Sequence, residues 1–395
     1  MKTGTRIGLA IGLLTGAAHG AGFQLYTEGS TEALGQAGAI SGRDDLTSLA
    51  WYNPAALAGA DKTAIMGGIA MAQINTDFTT PIPDSDESMS DEWRMIPHLY
   101  AVLPVTREWT LMLSVNAPYG LVTEWSDDWV GRQIATLSDL KAVYVTPSVA
   151  YRVTDALSLS LGASAVMAEA ELGSVTTNGL PSGMEASQTV TGDDLGYGFS
   201  ASAHLDVAEG WAVGARYQSR VSLELAGIVE FGAPINGRLD AGADLTLPST
   251  VNLGVANTSI NNLSLGVDLV WTEWSTYDQI AIETSAGDTV AAKDWKDVWS
   301  FRVGGEYALG ENWKLRAGYV WDQSPVPETT RTPELPGTDR QMLMAGAGWV
   351  WNGIGIDVAY AYLWADKGDM GTIYPLPGEF ETTTHLVSVS GRYAF

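Results

Sequence analysis

The chain of 395 residues is strongly acidic and contains no cysteine: 46 Asp and Glu stand against 21 Lys and Arg, giving a net charge of −25. This composition excludes a disulfide framework and a thiolate metal site, and it argues against nucleic-acid binding, which requires a basic surface. The 15 Trp, 15 Tyr and 44 Gly are typical of an aromatic, glycine-rich β protein. Two classes remain, a soluble secreted β protein and an outer-membrane β-barrel.

The first twenty residues have the pattern of a secretory signal peptide. Lys2 and Arg6 are followed by an apolar segment at residues 7–18 and then by small residues, with cleavage expected near Gly20 and Ala21. The apolar segment is shorter than the roughly 20 residues that span a bilayer, and no later apolar run is long enough to do so. We therefore exclude residues 1–20 from the fold and expect the mature chain to leave the cytoplasm.

Residues 21–61 precede the first predicted strand and are too rich in Ala and Gly to form good strands. Ser30 or Thr31 is a suitable helix cap, and Asn53-Pro54 marks a turn. The segment is therefore predicted to form short helical pieces joined by turns. Its small side chains suit a segment that packs tightly inside a larger structure.

From residue 62 onward, apolar and polar residues alternate with the period of two that is typical of strands. Trp313 and Leu315 lie on one face of such a segment and Lys314 on the other, and Tyr217 and Val221 are placed on one common face of a single strand. Fourteen strands are predicted, at residues 62–76, 92–104, 108–118, 139–153, 156–170, 191–207, 210–227, 243–257, 260–273, 294–308, 311–322, 340–351, 353–364 and 382–395.

Three features favour a membrane barrel over a soluble sandwich, whose strands also alternate. Trp and Tyr fall at the ends of the apolar faces, as in the aromatic girdles of outer-membrane barrels. Long gaps alternate with short turns, as expected for long outer loops and short periplasmic turns. The final amphipathic strand ends at Phe395, which resembles the assembly signal of bacterial outer-membrane proteins. The predicted fold is all-β: a 14-stranded antiparallel transmembrane β-barrel, spanning residues 62–395.

Several segments together resemble the FadL/TodX family of outer-membrane transporters of hydrophobic compounds. They are "AGFQL" and the run that ends in "NPAAL" near the N-terminus, "NAPYGLVTEW" after the third strand, and "LPSTVNLGV" and "LVWTEWSTYDQI" further on. The resemblance covers nearly the whole mature chain. It implies that residues 21–61 form a hatch folded inside the barrel, with Asn53, Pro54 and Ala55 as its signature turn.

The resemblance also implies a function, the passive uptake of long-chain fatty acids across the outer membrane. Ligand would be captured at outer loops, held in an inner pocket and released sideways at a kink in the third strand. Uptake of aromatic or aliphatic hydrocarbons, as in the TodX branch, is the alternative. A cation in the lumen would discriminate between them, because a fatty-acid carboxylate needs one and toluene does not.

The candidate kink and lateral gate lie where the third predicted strand ends. Pro118 cannot donate a ladder hydrogen bond, and Gly120 permits unusual backbone angles. The alternative is that this segment merely begins an outer loop. The residues assigned to the gate by resemblance are Asn116, Pro118, Tyr119 and Gly120.

The outer loop that follows is the candidate surface for ligand capture, because exposed apolar residues on a loop mark binding sites. Trp125 and Trp129 are four residues apart and Ile134 and Leu137 three apart, as on a short amphipathic helix. A loop that packs on itself is the alternative. The predicted capture residues are Leu121, Val122, Trp125, Trp129, Val130, Ile134 and Leu137.

The resemblance places the N-terminus at the inner pocket, with Phe23 as the ligand-contacting residue beside Ala21 and Gly22. Lys296 and Arg302 fall on the lumen face by parity, and Lys293, Lys296 and Arg340 lie in segments similar to the family's pocket-lining strands. The alternative is that lumen cations pair with lumen carboxylates. The cations assigned to the pocket are Lys293, Lys296, Arg302 and Arg340.

No enzyme, cofactor or metal site is predicted. The histidines of the mature chain stand beside no nucleophile motif, and the acidic segment at residues 83–92 is interpreted as a solvated loop. The expected partners are a hydrophobic small-molecule ligand, outer-membrane lipid and lipopolysaccharide, with no nucleic acid. The protein is expected to be a monomer in the bacterial outer membrane, exported through a cleaved signal peptide.

Overall fold

The computed structural model describes residues 22–395, so the predicted signal peptide and Ala21 lie outside the described residues. Within that range the chain forms fourteen long antiparallel strands, two of which are each interrupted once. Their bounds are β1 (Ala64–Thr79), β2 (Trp93–Pro104), β3 (Trp109–Glu124), β4 (Leu137–Arg152), β5 (Leu157–Thr176), β6 (Ala186–Ala208), β7 (Trp211–Gln218 and Val221–Phe231), β8 (Arg238–Leu247 and Thr250–Ile260), β9 (Leu263–Thr272), β10 (Val298–Leu309), β11 (Trp313–Asp322), β12 (Arg340–Trp351), β13 (Ile354–Ala365) and β14 (Glu379–Ala394).

The strands close into a barrel. Each pairs with its neighbour in the sequence, and β14 pairs with β1 from Ala64 opposite Ala394 to Thr79 opposite Glu379. Closure removes the free edges of the sheet and satisfies backbone groups that lipid cannot. The prediction of a 14-stranded antiparallel β-barrel is confirmed.

The two faces of the wall match their surroundings. In β11, Trp313 and Leu315 lie on the outer surface and are about half exposed, whereas Arg316 is buried in the lumen. This is the division that the alternation in the sequence predicts, with apolar residues toward lipid and polar residues inside.

Strand ends differ from the prediction where the ladder continues past the apolar residues. β5 continues to Thr176 and β6 starts at Ala186, so the loop predicted at residues 171–190 spans only 177–185. β3 likewise continues to Glu124 instead of ending at Pro118. The loop predicted at residues 274–293 contains two further short strands, Gln279–Thr284 and Thr289–Ala292, and the first pairs with β8.

The prediction that Tyr217 and Val221 share one face is wrong. Tyr217 faces outward and is 37% exposed, whereas Val221 is fully buried toward the lumen. β7 is interrupted at Ser219 and Arg220, and this irregularity shifts the alternation by one residue. The sequence carries no period change there, because apolar residues continue at odd positions on both sides.

Residues 22–60, called the hatch from here on, lie largely buried inside the barrel. Their regular elements are short helical pieces, as expected from a segment poor in strand formers. Ser30 caps α1, with its Oγ accepting a hydrogen bond from Ala33 N at 3.5 Å. Across residues 22–395, no helix is both long and apolar enough to cross a membrane. The helical pieces are a 3-10 turn at Thr27–Gly29, α1 (Thr31–Leu34), α2 (Leu49–Tyr52) and a 3-10 turn at Pro54–Leu57.

The turn at Asn53, Pro54 and Ala55 binds the hatch to the wall. Asn53 Nδ2 donates hydrogen bonds to Ser41 O at 2.7 Å and to Ala203 O of β6 at 3.3 Å. Ala55 N donates to the hydroxyl of a β6 serine at 3.0 Å. One amide therefore joins two hatch segments and the barrel, and Pro54 starts the helical turn that follows.

Close approach and buried charge complete the fit between hatch and wall. A Cβ on Gly214 of β7 would stand 1.8 Å from Ser41 O, so only glycine allows the hatch backbone to lie there. Arg43 of the hatch pairs with Glu306 of β10 at 3.1 Å, and both side chains are buried. Because breaking such a pair leaves an uncompensated buried charge, the contact favours one position of the hatch in the lumen.

Candidate functional site

Two adjoining cavities, of about 90 and 40 Å³, lie in the outer half of the lumen. Both are lined mainly by apolar residues that project inward from the wall or from the segment after β9, and the loop between β11 and β12 also lines the smaller cavity. The lining residues that the two cavities share are Phe23, Leu121, Ser138, Leu172, Tyr277 and Ile280. Sequence analysis placed Phe23 in the pocket and Leu121 on an outer loop, and the structure brings both to the same cavities.

Phe23 stands in an aromatic cluster at the base of the cavities. Its ring centroid is 4.6 Å from that of Trp274, 5.7 Å from Tyr277 and 5.8 Å from Trp295. The neighbouring Gly22 is pressed against the same cluster. Phe23 therefore separates the cavities from the rest of the hatch, which lies below it. Ala21, which was predicted beside Phe23, lies outside the described residues.

The wall beside this cluster is irregular, because β3 carries a bulge. Its register with β4 shifts between Asn116 opposite Tyr144 and Tyr119 opposite Ala142. The β2–β3 ladder ends at Leu99 opposite Val115, so among the described strands residues 93–98 of β2 pair with β1 alone. A break in the wall follows, and it starts at the predicted kink. Since β3 continues beyond it, these residues do not begin an outer loop.

The N-terminal segment takes the place of β2 along the inner edge of this break. Leu25 N donates to Pro118 O at 2.8 Å, and Gly120 N donates to Phe23 O at 2.9 Å. Gln24 and Tyr119 form an isolated antiparallel bridge between them. The same short segment therefore places Phe23 under the cavities and occupies the hydrogen-bonding edge of β3.

An outer groove of about 260 Å³ leads to the larger cavity. Ile134 and Leu137 line its rim, as the capture hypothesis expects. The groove and the larger cavity share four apolar lining residues, which are Leu172, Val190, Ile280 and Ile282. These shared residues place the groove directly beside the cavity that Phe23 lines.

The prediction that the rest of this loop forms an exposed capture surface is wrong. Trp125 and Trp129 are 3% exposed and stack on each other with ring centroids 4.7 Å apart. Their indole nitrogens donate to Pro333 O at 3.1 Å and to Ala135 O at 2.8 Å. Val122 and Val130 pack in the same cluster, and in the described chain residues 125–136 form turns without a helix. Both indoles are turned inward, because the N–H of Trp129 finds its partner within this loop and that of Trp125 finds its partner in the loop between β11 and β12.

Among the predicted pocket cations, Lys293 alone lines either of the two cavities. Its ammonium is buried and pairs with the Glu334 carboxylate, and Thr332 also donates to that carboxylate at 2.6 Å. Burial raises the pKa of Glu334, but the Lys293 ammonium and these hydrogen bonds outweigh burial and hold that pKa below its usual range. Glu334 is therefore ionised at neutral pH and neutralises Lys293.

The other three predicted cations line neither of the two cavities. Lys296 is exposed before the start of β10. Arg302 and Arg340 are buried in the lumen, but both pair with Asp322, at 3.3 and 2.9 Å. The alternative that lumen cations pair with lumen carboxylates holds for these two arginines.

Sequence analysis missed most of the apolar lining. The segment after β9 supplies Tyr277, Ile280 and Ile282, which were placed in an outer loop. Apolar residues in a stretch with no strand periodicity were the available signal, since a loop that only faces water does not need them. Glu334 gave no such signal, because it stands 41 residues from Lys293 in the sequence.

A closed barrel with its own N-terminal segment in the lumen and apolar cavities above it is a membrane channel. The chain belongs to the family described as outer membrane protein transport protein (OMPP1/FadL/TodX), whose sequence profile matches residues 11–395. This family consists of outer-membrane transport channels and not of enzymes, so the prediction of a non-enzymatic outer-membrane transporter is confirmed.

Among its relatives, the long-chain fatty acid transport protein of Salmonella typhi is 28% identical over 437 residues, covering 100% of this chain and 98% of that protein. The crystal structure of a Pseudomonas aeruginosa FadL homologue matches with a TM-score of 0.85 at 21% identity, over 95% of this chain and 99% of the other. The toluene transporter TodX of P. putida matches with a TM-score of 0.76 at 16% identity, over 91% and 97%. Both structures have the fold described above.

Proposed function

We propose that this protein is a passive outer-membrane channel for hydrophobic molecules, with long-chain fatty acids as its first candidate ligand. The observation that carries the proposal is that an outer groove and two cavities share lining residues and lie in series above Phe23, beside the β2–β3 break. Each methylene group left in water costs about 0.8 kcal/mol, so an acyl chain is poorly served by an aqueous pore. A route lined by apolar side chains lets each step run downhill in free energy without an energy source.

Transport would proceed in three steps. The ligand enters the groove beside Ile134 and Leu137, moves past Leu172 and Ile280 into the cavities, and displaces Phe23 at their base. It then leaves sideways between β2 and β3 into the membrane. Because one chain closes the barrel and contains the whole route, we propose that the monomer is the working unit.

Which ligand the channel carries depends on the charge of the groups that line the cavities. Relatives named long-chain fatty acid transport proteins support a fatty acid, whose carboxylate would bind Lys293. The second candidate is an uncharged hydrocarbon, since TodX is a toluene transporter of the same fold. The specific observation in its favour is that Glu334 already neutralises Lys293, so a carboxylate has to compete for that ammonium.

Lys293→Met is expected to weaken oleate binding about tenfold or more, the loss that a charge-assisted hydrogen bond of roughly 1.5–3 kcal/mol implies. Glu334→Gln is expected to strengthen oleate binding, because it leaves Lys293 unneutralised. Binding of oleate, methyl oleate and toluene to the purified protein would be compared by native mass spectrometry. The exposed Lys296→Met is the matched control. Unchanged oleate binding in Lys293→Met, together with a preference for toluene, would assign the channel to hydrocarbons.

A further inference from the structure

The wall contains a second break, between β6 and β7. The two strands pair from Ala208 opposite Trp211 to Ser200 opposite Gln218, and pairing resumes at Asp193 opposite Ala226. In the described barrel, residues 194–199 of β6 therefore have no register partner on β7. We call residues 194–199 and 219–225 together the seam.

The seam arises because β7 and β8 turn inward together. β7 is interrupted at Ser219 and Arg220, and β8 is interrupted at Pro248 and Ser249 at the same height, since Gln218 pairs with Thr250 and Val221 with Leu247. The β7–β8 ladder is intact on both sides of these interruptions. The two strands are therefore displaced together from β6 over the seam, and β7 pairs with β6 again from Asp193 opposite Ala226 outward.

Aliphatic side chains close the seam in place of a hydrogen-bonded ladder. Val221 and Leu223 are fully buried and lie against Gly196 and Gly198 of β6. A Cβ on Gly196 would stand 2.6 Å from Val221 Cγ1, and one on Gly198 would stand 2.9 Å from Val221 Cγ2. The two glycines provide the room that these side chains occupy.

Hydrogen bonds that involve the backbone lie at the two ends of the seam. Ser219 N donates to Phe199 O at 2.9 Å at one end, and Glu224 N donates to an Asp194 carboxylate oxygen at 2.8 Å at the other. Parting any intact pair of strands would strip a whole ladder of hydrogen bonds inside lipid, at several kcal/mol for each unsatisfied group. Opening the seam instead displaces Val221 and Leu223 and breaks the hydrogen bonds at its two ends. The seam is therefore a low-cost place for the wall to open.

The seam separates the larger cavity from an apolar outer surface. Gly192 of β6 and Leu225 of β7 line that cavity at the outer end of the seam. On the outside, Leu195, Tyr197 and Phe199 are between 48% and 71% exposed. We propose that the seam is a second lateral exit, through which a hydrophobic ligand in the larger cavity passes into the membrane without crossing Phe23. This inference rests on the proposed function and adds a route to it.

A reversible disulfide can test the seam, because the chain has no native cysteine. In Gly198→Cys/Val221→Cys the Cβ atoms fall within the range that a disulfide needs. The control Asp206→Cys/Ala212→Cys joins the same strands at register partners in the intact ladder. Each pair is combined with Gly120→Trp, which obstructs the β3 exit. Uptake of radiolabelled oleate and toluene is measured in Gram-negative cells that lack their own transporter.

With the β3 exit obstructed, the seam cross-link is expected to lower the remaining uptake at least about fivefold, with recovery on reduction, as for a gate on the ligand's path. The control cross-link should leave uptake unchanged. Val221→Ala/Leu223→Ala, which empties the seam, should raise the remaining uptake about threefold, because it removes the side chains that fill the gap.

Remaining uptake that the seam cross-link does not change would overturn the inference, and so would the absence of any remaining uptake in Gly120→Trp. Remaining uptake that Val221→Ala/Leu223→Ala leaves unchanged would also overturn it, even if the cross-link fails to form. These outcomes differ from failure of the proposed function. In that case the unmodified barrel itself gives no uptake above cells without it.

Discussion

Deleting residues 48–59 is expected to turn a barrel that excludes ions into one that conducts them. The deletion removes α2 and the turn at Pro54–Leu57, together with the hydrogen bonds from Asn53 and Ala55 to β6. These residues are almost completely buried between the walls, so their deletion removes the side chains that fill this part of the lumen. A barrel of this size whose lumen is not filled encloses an aqueous channel.

Planar-bilayer recording measures this directly. The intact protein should give a quiet baseline and the deletion variant discrete conductance steps. Deleting residues 82–86 from an exposed outer loop is the control, and it should leave the baseline unchanged. Equal conductance in the intact protein and the residue 48–59 variant would show that the hatch is not what closes the lumen.

The second large effect is expected for Gly120→Trp. Gly120 is buried at the β3 bulge and donates to Phe23 O, so an indole there would fill the space beside the β2–β3 break. Uptake of oleate or toluene should fall about tenfold, which corresponds to a barrier raised by about 1.4 kcal/mol. The substitution leaves the ladder between β14 and β1 untouched, so the barrel should still assemble and show its usual heat-modifiable mobility on gels.

Gly391→Trp is the matched control for this variant. A side chain at Gly391 of β14 meets no atom within 4 Å, so it projects into lipid without touching the route. Normal uptake in Gly391→Trp and a strong loss in Gly120→Trp would assign the effect to the β3 break. Normal uptake in both variants would remove that break from the mechanism.

The barrel was predictable because its signal is local and repeated. In β11 the polarity of each residue indicates which face of the strand it lies on, as for Trp313, Lys314 and Leu315. The same alternation recurs along the other strands of the barrel. The Phe23 position and the β3 bulge followed from resemblance and from the chemistry of Pro118 and Gly120. Closure then follows from the need of every edge for a partner in lipid.

The features that were missed depend on contacts between distant residues. The seam left no mark in the period of two, because Tyr217 and Val221 are both apolar and both odd-numbered although they face opposite ways. The charge on Lys293 could not be judged without Glu334 from another loop. Trp125 and Trp129 have the spacing of an exposed helical face, yet the carbonyl groups that accept their hydrogen bonds turn both indoles inward.

The channel is expected to carry hydrophobic molecules while it excludes water-soluble ones. Cells that lack their own transporter and express this protein should therefore be given radiolabelled oleate, toluene and a hydrophilic sugar of similar mass, without an added energy source. We expect faster entry of oleate or toluene than in cells without the protein, and no gain for the sugar. Entry of the sugar at the same rate as the hydrophobic compounds would contradict it and make the protein an ordinary aqueous pore.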